Sequence, residues 1–451
     1  MKRIILLLDG TWNDADAGPA DTNIVRLREI ISRCLEHSPD RSRSDYITPD
    51  SNPSRTSVMA GAYKSPAAAT TDPAIEQHLV YYERGVGTGG FLDLYLGGAF
   101  GTGLSRNIRR AYRVLSQNFE AGDQVFIFGF SRGSYTARSL CGYIGATGLL
   151  KKDFCTEENE SRAWYYYRTS PPDRISDIAD CLRRLSHKEV LISCLGVFDT
   201  VGALGVPLPA FSRENRDIFE FHDVGLSANA RLNLQALAID EHRLSFEPTL
   251  WRQLKFGGGM AQAEQVWFAG AHADIGGGYV DEELRQREDT PALDDLTLDW
   301  MLSRVLHTFP DFPVRTSGNQ AWPRVSSKSA FAPQHEARNG FYRVLPLAWR
   351  SINNLPVAPR SREVNVGRDR HATPIGEGIH VSALERLGRL IHVDKRKSYY
   401  EPLNLVTALN SVEASFLTER PVAIVGDQGL PLDAAVATEV LRQARSRLHD
   451  I

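Results

Sequence analysis

Five residues of this sequence, Gly129-Phe130-Ser131-Arg132-Gly133, have the types and spacing of a nucleophilic turn. They follow the apolar run Val125 to Phe128 and precede a helical pattern from Ser134 to Ile144. A serine on a sharp strand-to-helix turn is exposed above the sheet edge. Glycines two residues before and two after it remove side chains that would collide there. The helix start then presents backbone N–H groups to developing negative charge. Ser131 is therefore expected to be the nucleophile of a serine hydrolase acting on carboxylic esters.

A serine hydroxyl needs a base to take its proton and an acid to orient that base. On α/β-hydrolase scaffolds the chain order is serine, acid, histidine. Val190 to Phe198 ends in Asp199, and Val266 to Ala271 ends in His272. Asp199 is the expected acid and His272 the expected base. Asp274 is the rival acid, while His222 and His242 are rival bases that follow no convincing buried strand. The Arg132 N–H is the expected first oxyanion donor. Gly10 or Thr11, after the first strand, is the expected second, with a plain β-to-α turn as the alternative.

Two other readings stay open. Asp9, Asp14, His272 and Asp274 could serve a metal-dependent phosphohydrolase. A non-catalytic interaction module could also retain a hydrolase scaffold. The serine reading needs no cofactor and no metal. The glycine runs Gly85–Gly90 and Gly97–Gly103 lack the G-x-x-x-x-G-K-[ST] pattern of a P-loop and read as loops.

The elements that must carry these residues are also legible. Ile4 to Leu8, Val125 to Phe130, Val190 to Phe198 and Val266 to Ala271 are short and almost continuously apolar. Strands buried on both faces have this form, which predicts a mostly parallel central sheet. Helical patterns fall at Asn23–His37 (capped by Asp21 or Thr22), Leu104–Phe119, Ser134–Ile144, Ile175–Leu185, Ala228–Ile239, Val381–Ile391 and Leu432–Leu448. The expected class is α/β, hydrolase-like, with helices flanking the sheet.

An α/β-hydrolase core is expected over 1–310, with a surface insertion at 38–72. An irregular lid-like region follows at 311–378, and a C-terminal helical segment packs on the core at 379–451. Asp281–Asp295 reads as a charged loop. The region 311–378 holds ten Arg and Lys residues, Arg350 among them, against five Asp and Glu. A solvated accessory surface and a lid meeting an anionic membrane surface are both open for it.

Of the 451 residues, 42% are hydrophobic and the net charge is −3. That gives ample core material and no basic footprint of a nucleic-acid binder. The five cysteines form no Cys-x-x-Cys pair and read as reduced thiols. Ile4–Leu8 is too short for a signal-peptide core, and no stretch has transmembrane length. The expected site of synthesis is the cytoplasm. Oligomeric state is left open.

Several ordered motifs together resemble a family of uncharacterised α/β-hydrolase domains. The same domain forms the catalytic part of one class of type VI secretion phospholipase effectors. The stretches are Leu6–Asn13, Tyr82–Gly89, Gly101–Ile108, Gly129–Gly133, Phe198–Gly202, Ala238–Arg243 and His272–Tyr279. The resemblance implies a triad of Ser131, Asp199 and His272, and an ester or lipid substrate with phospholipase activity among the options. It also makes export by a dedicated secretion system an expectation.

Overall fold

The computed structural model describes residues 2–10, 22–37, 56–63, 76–85, 98–201, 226, 229–254, 263–279, 291–314, 325, 328–357, 360, 362–369, 372–415 and 422–448. Its strands are β1 (Arg3–Leu8), β2 (Glu36–His37), β3 (Thr56–Tyr63), β4 (Glu76–Glu83), β5 (Gln124–Phe130), β6 (Ile192–Phe198), β7 (Ala230–Ala238), β8 (Arg252–Leu254), β9 (Glu264–Phe268), β10 (Leu347–Arg350), β11 (Glu363–Val366), β12 (Ala372–Pro374), β13 (Glu377–His380), β14 (Leu390–Val393), β15 (Arg396–Tyr399) and β16 (Ala423–Val425). Its helices are α1 (Asn23–Cys34), α2 (Gly98–Asn118), α3 (Arg132–Thr147), α4 (Glu157–Arg168), α5 (Ser176–Leu185), α6 (His272–Gly276), α7 (Leu293–Thr308), α8 (Val381–Arg386), α9 (Leu403–Ser415) and α10 (Ala434–Arg445).

One large sheet runs in the order β16-β13-β9-β7-β6-β5-β1-β4-β3-β2. Every pair from β16 to β4 is parallel. The edge strands β3 and β2 are antiparallel. Helices cover both faces, so the α/β class holds. Alternation along β1 divides its side chains between two cores. Ile5 and Leu7 pack with α1 and α7, while Ile4, Leu6 and Leu8 pack with α2, α3 and α4. A third core joins Leu237 of β7, Trp267 of β9 and Ile379 of β13 to α8, α9 and α10.

Four sequence expectations change. Ala230–Ala238 is a strand, not part of a helix. Its Ala, Leu and Gln residues favour helix in isolation, but pairing with β6 and β9 in the middle of a buried sheet overrides that preference. Within the expected insertion 38–72, the described segment Thr56–Tyr63 pairs along β4 as part of the sheet. The helix expected over Val381–Ile391 stops at Arg386. Gly388, at φ 72°, turns the chain into β14. Finally, the sheet does not end near 310. β13 and β16 extend it, and the C-terminal segment is therefore mixed strand and helix. β13 is broken by Gly378 and carries Glu377 and His380, and β16 is only three residues long, so neither shows a period.

Thr22 caps α1, its Oγ1 accepting from the Val25 N–H at 3.2 Å. Among the described residues no helix is long and apolar enough to cross a membrane.

Candidate active site

Parallel α/β sheets present their functional crevice beyond the carboxyl ends of the strands. Ser131 follows β5, Asp199 follows β6 and His272 follows β9. All three stand at that end.

The Ser131 turn is tight. Ser131 has φ 56°, in the left-handed region a side chain rarely adopts. Its N–H donates to the Phe198 carbonyl at 3.0 Å, tying the turn to the end of β6. A Cβ on Gly133 would stand 2.0 Å from the Leu8 carbonyl oxygen, and one on Gly129 would stand 2.6 Å from the Gly133 oxygen. Both glycines are required by backbone approach. Asp199 is held at φ 41°, its N–H donating to the Ala236 carbonyl at 2.8 Å.

The structure brings the three side chains into one chain of hydrogen bonds. His272 Nε2 lies 2.9 Å from Ser131 Oγ. His272 Nδ1 lies 2.6 Å from Asp199 Oδ2. An ionised Asp199 fixes the tautomer: Nδ1–H donates to the carboxylate, and Nε2 is left to accept the serine proton. The imidazole is buried between the rings of Phe130 and Phe246, at 4.8 and 5.0 Å between centroids. A Cβ on Gly276 would meet the Phe130 ring at 2.0 Å, so that glycine makes room for the ring that flanks His272.

Burial pushes the His272 imidazole below its ordinary value, with Asp199 pulling the other way. Burial alone would raise the Asp199 carboxyl. The Arg350 guanidinium and the His272 hydrogen bond overcome it and hold that carboxyl well below the usual range.

The other expected residues have different surroundings. Asp9 accepts from Thr22 Oγ1 at 2.9 Å, from the Tyr82 hydroxyl at 2.9 Å and from the Gly10 N–H at 2.7 Å. This corrects the oxyanion assignment of Gly10, whose N–H already points into the carboxylate before it. Short Asp side chains close such local bonds readily. Thr11, Asp14 and His222 lie outside the described residues. Arg132 opens α3 directly after Ser131.

Asp274 accepts from the Ala271 N–H at 2.9 Å and from His335 Nδ1 at 2.6 Å. His242 Nδ1 meets the Ala348 carbonyl at 3.0 Å. Asp9, His272 and Asp274 are thus each committed to different partners, and both ring nitrogens of His272 are engaged. Among the described residues no group of three or more His, Cys, Asp or Glu is placed to hold a metal.

Sequence reasoning missed four contributors. Arg350 reaches Asp199 with both terminal nitrogens, at 2.6 and 3.0 Å. Glu241 Oε2 accepts the His272 N–H at 3.3 Å and also pairs with Arg243 at 2.7 Å. The Arg243 guanidinium in turn lies 3.5 Å over the ring of Phe246. His335, stacked on Tyr279 at 4.0 Å, ties the 311–378 region to the loop carrying His272. Glu241 and Arg243 fall within the stretch Ala238–Arg243 that carries the family resemblance, whereas no local motif marks Arg350 or His335.

Residues 2–304 match the family described as the catalytic domain of Tle1-like phospholipase effectors of the type VI secretion system. An uncharacterised protein of Saccharomyces cerevisiae is 33% identical over 153 residues, covering 29% of this chain and 22% of that protein. The chain thus spans less than a quarter of that curated relative. Among solved structures, an uncharacterised protein from Pseudomonas aeruginosa is 17% identical with a TM-score of 0.37, over 69% of this chain and 46% of that one. The Tle1 effector bound to the VgrG spike is 19% identical with a TM-score of 0.32, over 62% and 51%.

Proposed function

We propose that this chain, which belongs to the family of Tle1-like type VI secretion phospholipase effector catalytic domains, cleaves acyl esters of lipids through Ser131, His272 and Asp199. One observation carries the proposal: the unbroken relay from Ser131 Oγ through His272 to Asp199, at 2.9 and 2.6 Å. A phospholipid acyl ester, with phospholipase A-type cleavage, is the substrate class that family membership favours. Contact with a membrane surface and delivery by a secretion machine belong to the same proposal.

Ser131 Oγ attacks the ester carbonyl carbon as its proton passes to His272 Nε2. Asp199 stabilises the imidazolium that forms. The Arg132 N–H donates to the tetrahedral oxyanion. When the oxyanion collapses, the bond to the leaving alkoxide breaks and His272 returns the proton to it. Water then gives a proton to His272 and attacks the acyl-enzyme. The carboxylic acid leaves, and Ser131 recovers its hydrogen.

Hydrolysis of phospholipid vesicles and of short p-nitrophenyl esters by the wild type and Ser131→Ala tests this reading. The wild type is expected to turn over at least one of them and to label with a fluorophosphonate. Ser131→Ala is expected to lose about 10⁴-fold or more in kcat and all labelling. Equal hydrolysis by the two proteins, or activity that a chelator abolishes and a fluorophosphonate spares, would overturn it.

A further inference from the structure

We infer that Arg350, which lies beyond the family-matched residues 2–304, is the positioning residue for Asp199 and so makes the C-terminal third part of the active site. The inference rests on the triad proposed above. Arg350 is fully buried. A guanidinium in that position is tolerated when its charge is paired and most of its donors are used; here the terminal nitrogens are engaged and Nε–H has no partner among the described residues. Nη1 donates to Asp199 Oδ1 at 2.6 Å and to the Ala238 carbonyl at 3.1 Å. Nη2 donates to Asp199 Oδ2 at 3.0 Å and to the Phe246 carbonyl at 2.7 Å.

The carboxylate is surrounded as a result. Oδ1 accepts from Arg350 and from the Ala238 N–H at 3.0 Å, while Oδ2 accepts from Arg350 and His272. Turning the carboxyl by one rotamer would break several of these at once. The flat fork therefore sets the plane in which Oδ2 meets the imidazole, which an ammonium point charge cannot do. The clamp is itself anchored. The Ala348 N–H donates to the His242 carbonyl at 3.0 Å, and Asn404 Nδ2 donates to the Arg350 carbonyl at 3.2 Å. Arg350 thus joins β10, the end of β7 and α9 to the acid.

The fork also has an electrostatic consequence. The charges around His272 are Asp199 after β6, Arg350 on β10, and Glu241 and Arg243 after β7. Asp274, hydrogen-bonded to His335, lies on its C-terminal side. Arg350 offsets Asp199, so the pair favours the imidazolium less than a lone carboxylate would. Without the guanidinium, His272 is expected to hold its proton to a higher pH.

Full-length wild type, Arg350→Lys and Arg350→Met provide the test, with p-nitrophenyl butyrate followed from pH 5 to 9 and folding checked by thermal denaturation. In folded Arg350→Met, kcat is expected to fall about 10–100-fold, as when a partner that orients a site residue is lost. KM is expected to stay within about twofold, because a group acting through Asp199 serves the transition state rather than substrate binding. The acid limb of kcat/KM is expected to move to higher pH. Arg350→Lys keeps the charge and is expected to keep the limb while losing about tenfold in kcat, since one carboxylate oxygen loses one of its two donors and the planar fork is gone.

The low-field NMR resonance of His272 Nδ1–H gives a readout independent of turnover. It is expected to shift or broaden in Arg350→Met even if the wild type hydrolyses no ester, which separates failure of this inference from failure of the triad proposal. Wild-type kcat, limb and resonance in folded Arg350→Met would overturn it. If that variant does not fold, Arg350→Lys decides. A loss in kcat with an altered resonance supports the positioning role, and wild-type values of both overturn it.

Discussion

Ser131, Asp199 and His272 each stand one residue or a few past the end of a parallel strand, whereas Arg350 and His335 arrive from the irregular stretch between α7 and α8. The first group depends on backbone geometry. Two of its three members sit at positive φ, and glycines stand wherever chains touch. The second group depends on side-chain reach: a fork on Asp199 and an imidazole on Asp274. Strand-end geometry constrains neighbouring residues, so it leaves a motif. Reach across the molecule constrains only the residue that reaches, so it leaves none.

The comparison can be broken or sharpened by substitution on either side. The largest expected effect is on turnover. His272→Ala is expected to reduce kcat by about 10⁴-fold or more with the fold intact, read by ester hydrolysis beside circular dichroism. In the wild type, burial keeps the imidazole neutral below its ordinary 6.5. Activity that needs the neutral base is therefore expected to persist as pH falls past 6.5 and to be lost only on passing the lowered pKa. An acid limb above 6.5 would contradict this.

Gly133→Ala comes next, and it acts on folding. Its new methyl would meet the Leu8 and Asp9 carbonyl oxygens at 2.0 and 2.6 Å. A clash against backbone costs about 3 kcal/mol or more, so a large loss of Tm or of soluble protein is expected. A variant of normal Tm would show that β1 and α3 can separate.

On the C-terminal side, Glu377→Gln is expected to change stability with pH. Burial raises the Glu377 carboxyl to about 7 from 4.5, although Trp267 Nε1–H and the Asn353 N–H donate to its Oε1. Between those values the folded protein keeps a proton that the unfolded chain has released. Wild-type stability therefore falls as pH rises through the window, by up to about 3 kcal/mol. Glutamine removes that dependence. Its Tm advantage is expected above pH 7 and to vanish near pH 4.5, as read by denaturation across pH. The smallest effect is expected for Thr22→Ala, which loses the α1 cap and one Asp9 donor, at about 1 kcal/mol in urea denaturation.

Much of this arrangement is legible in the sequence. The apolar strands, the serine turn and the order of acid and base all follow from local patterns. β7 was misread because Ala, Leu and Gln spell helix when pairing is ignored. β13 gives little signal because Glu377, Gly378 and His380 are not apolar, and β16, Ala423–Val425, is too short at three residues for a pattern to show. Gly10 was misassigned because its competition with the Asp9 side chain depends on a rotamer, not on a residue type.

The sequence by itself therefore determined the α/β class, the strand-to-helix turn at Ser131 and the residues expected to stand at strand ends. Each of these is written in a few consecutive side chains whose sterics act locally. Tertiary structure alone decided that His272 meets both Ser131 and Asp199, that Gly10 turns its N–H inward, and that Arg350, 151 residues from Asp199, closes on the acid. Those outcomes depend on how separate strands and loops pack into one crevice. No single window of sequence holds that information.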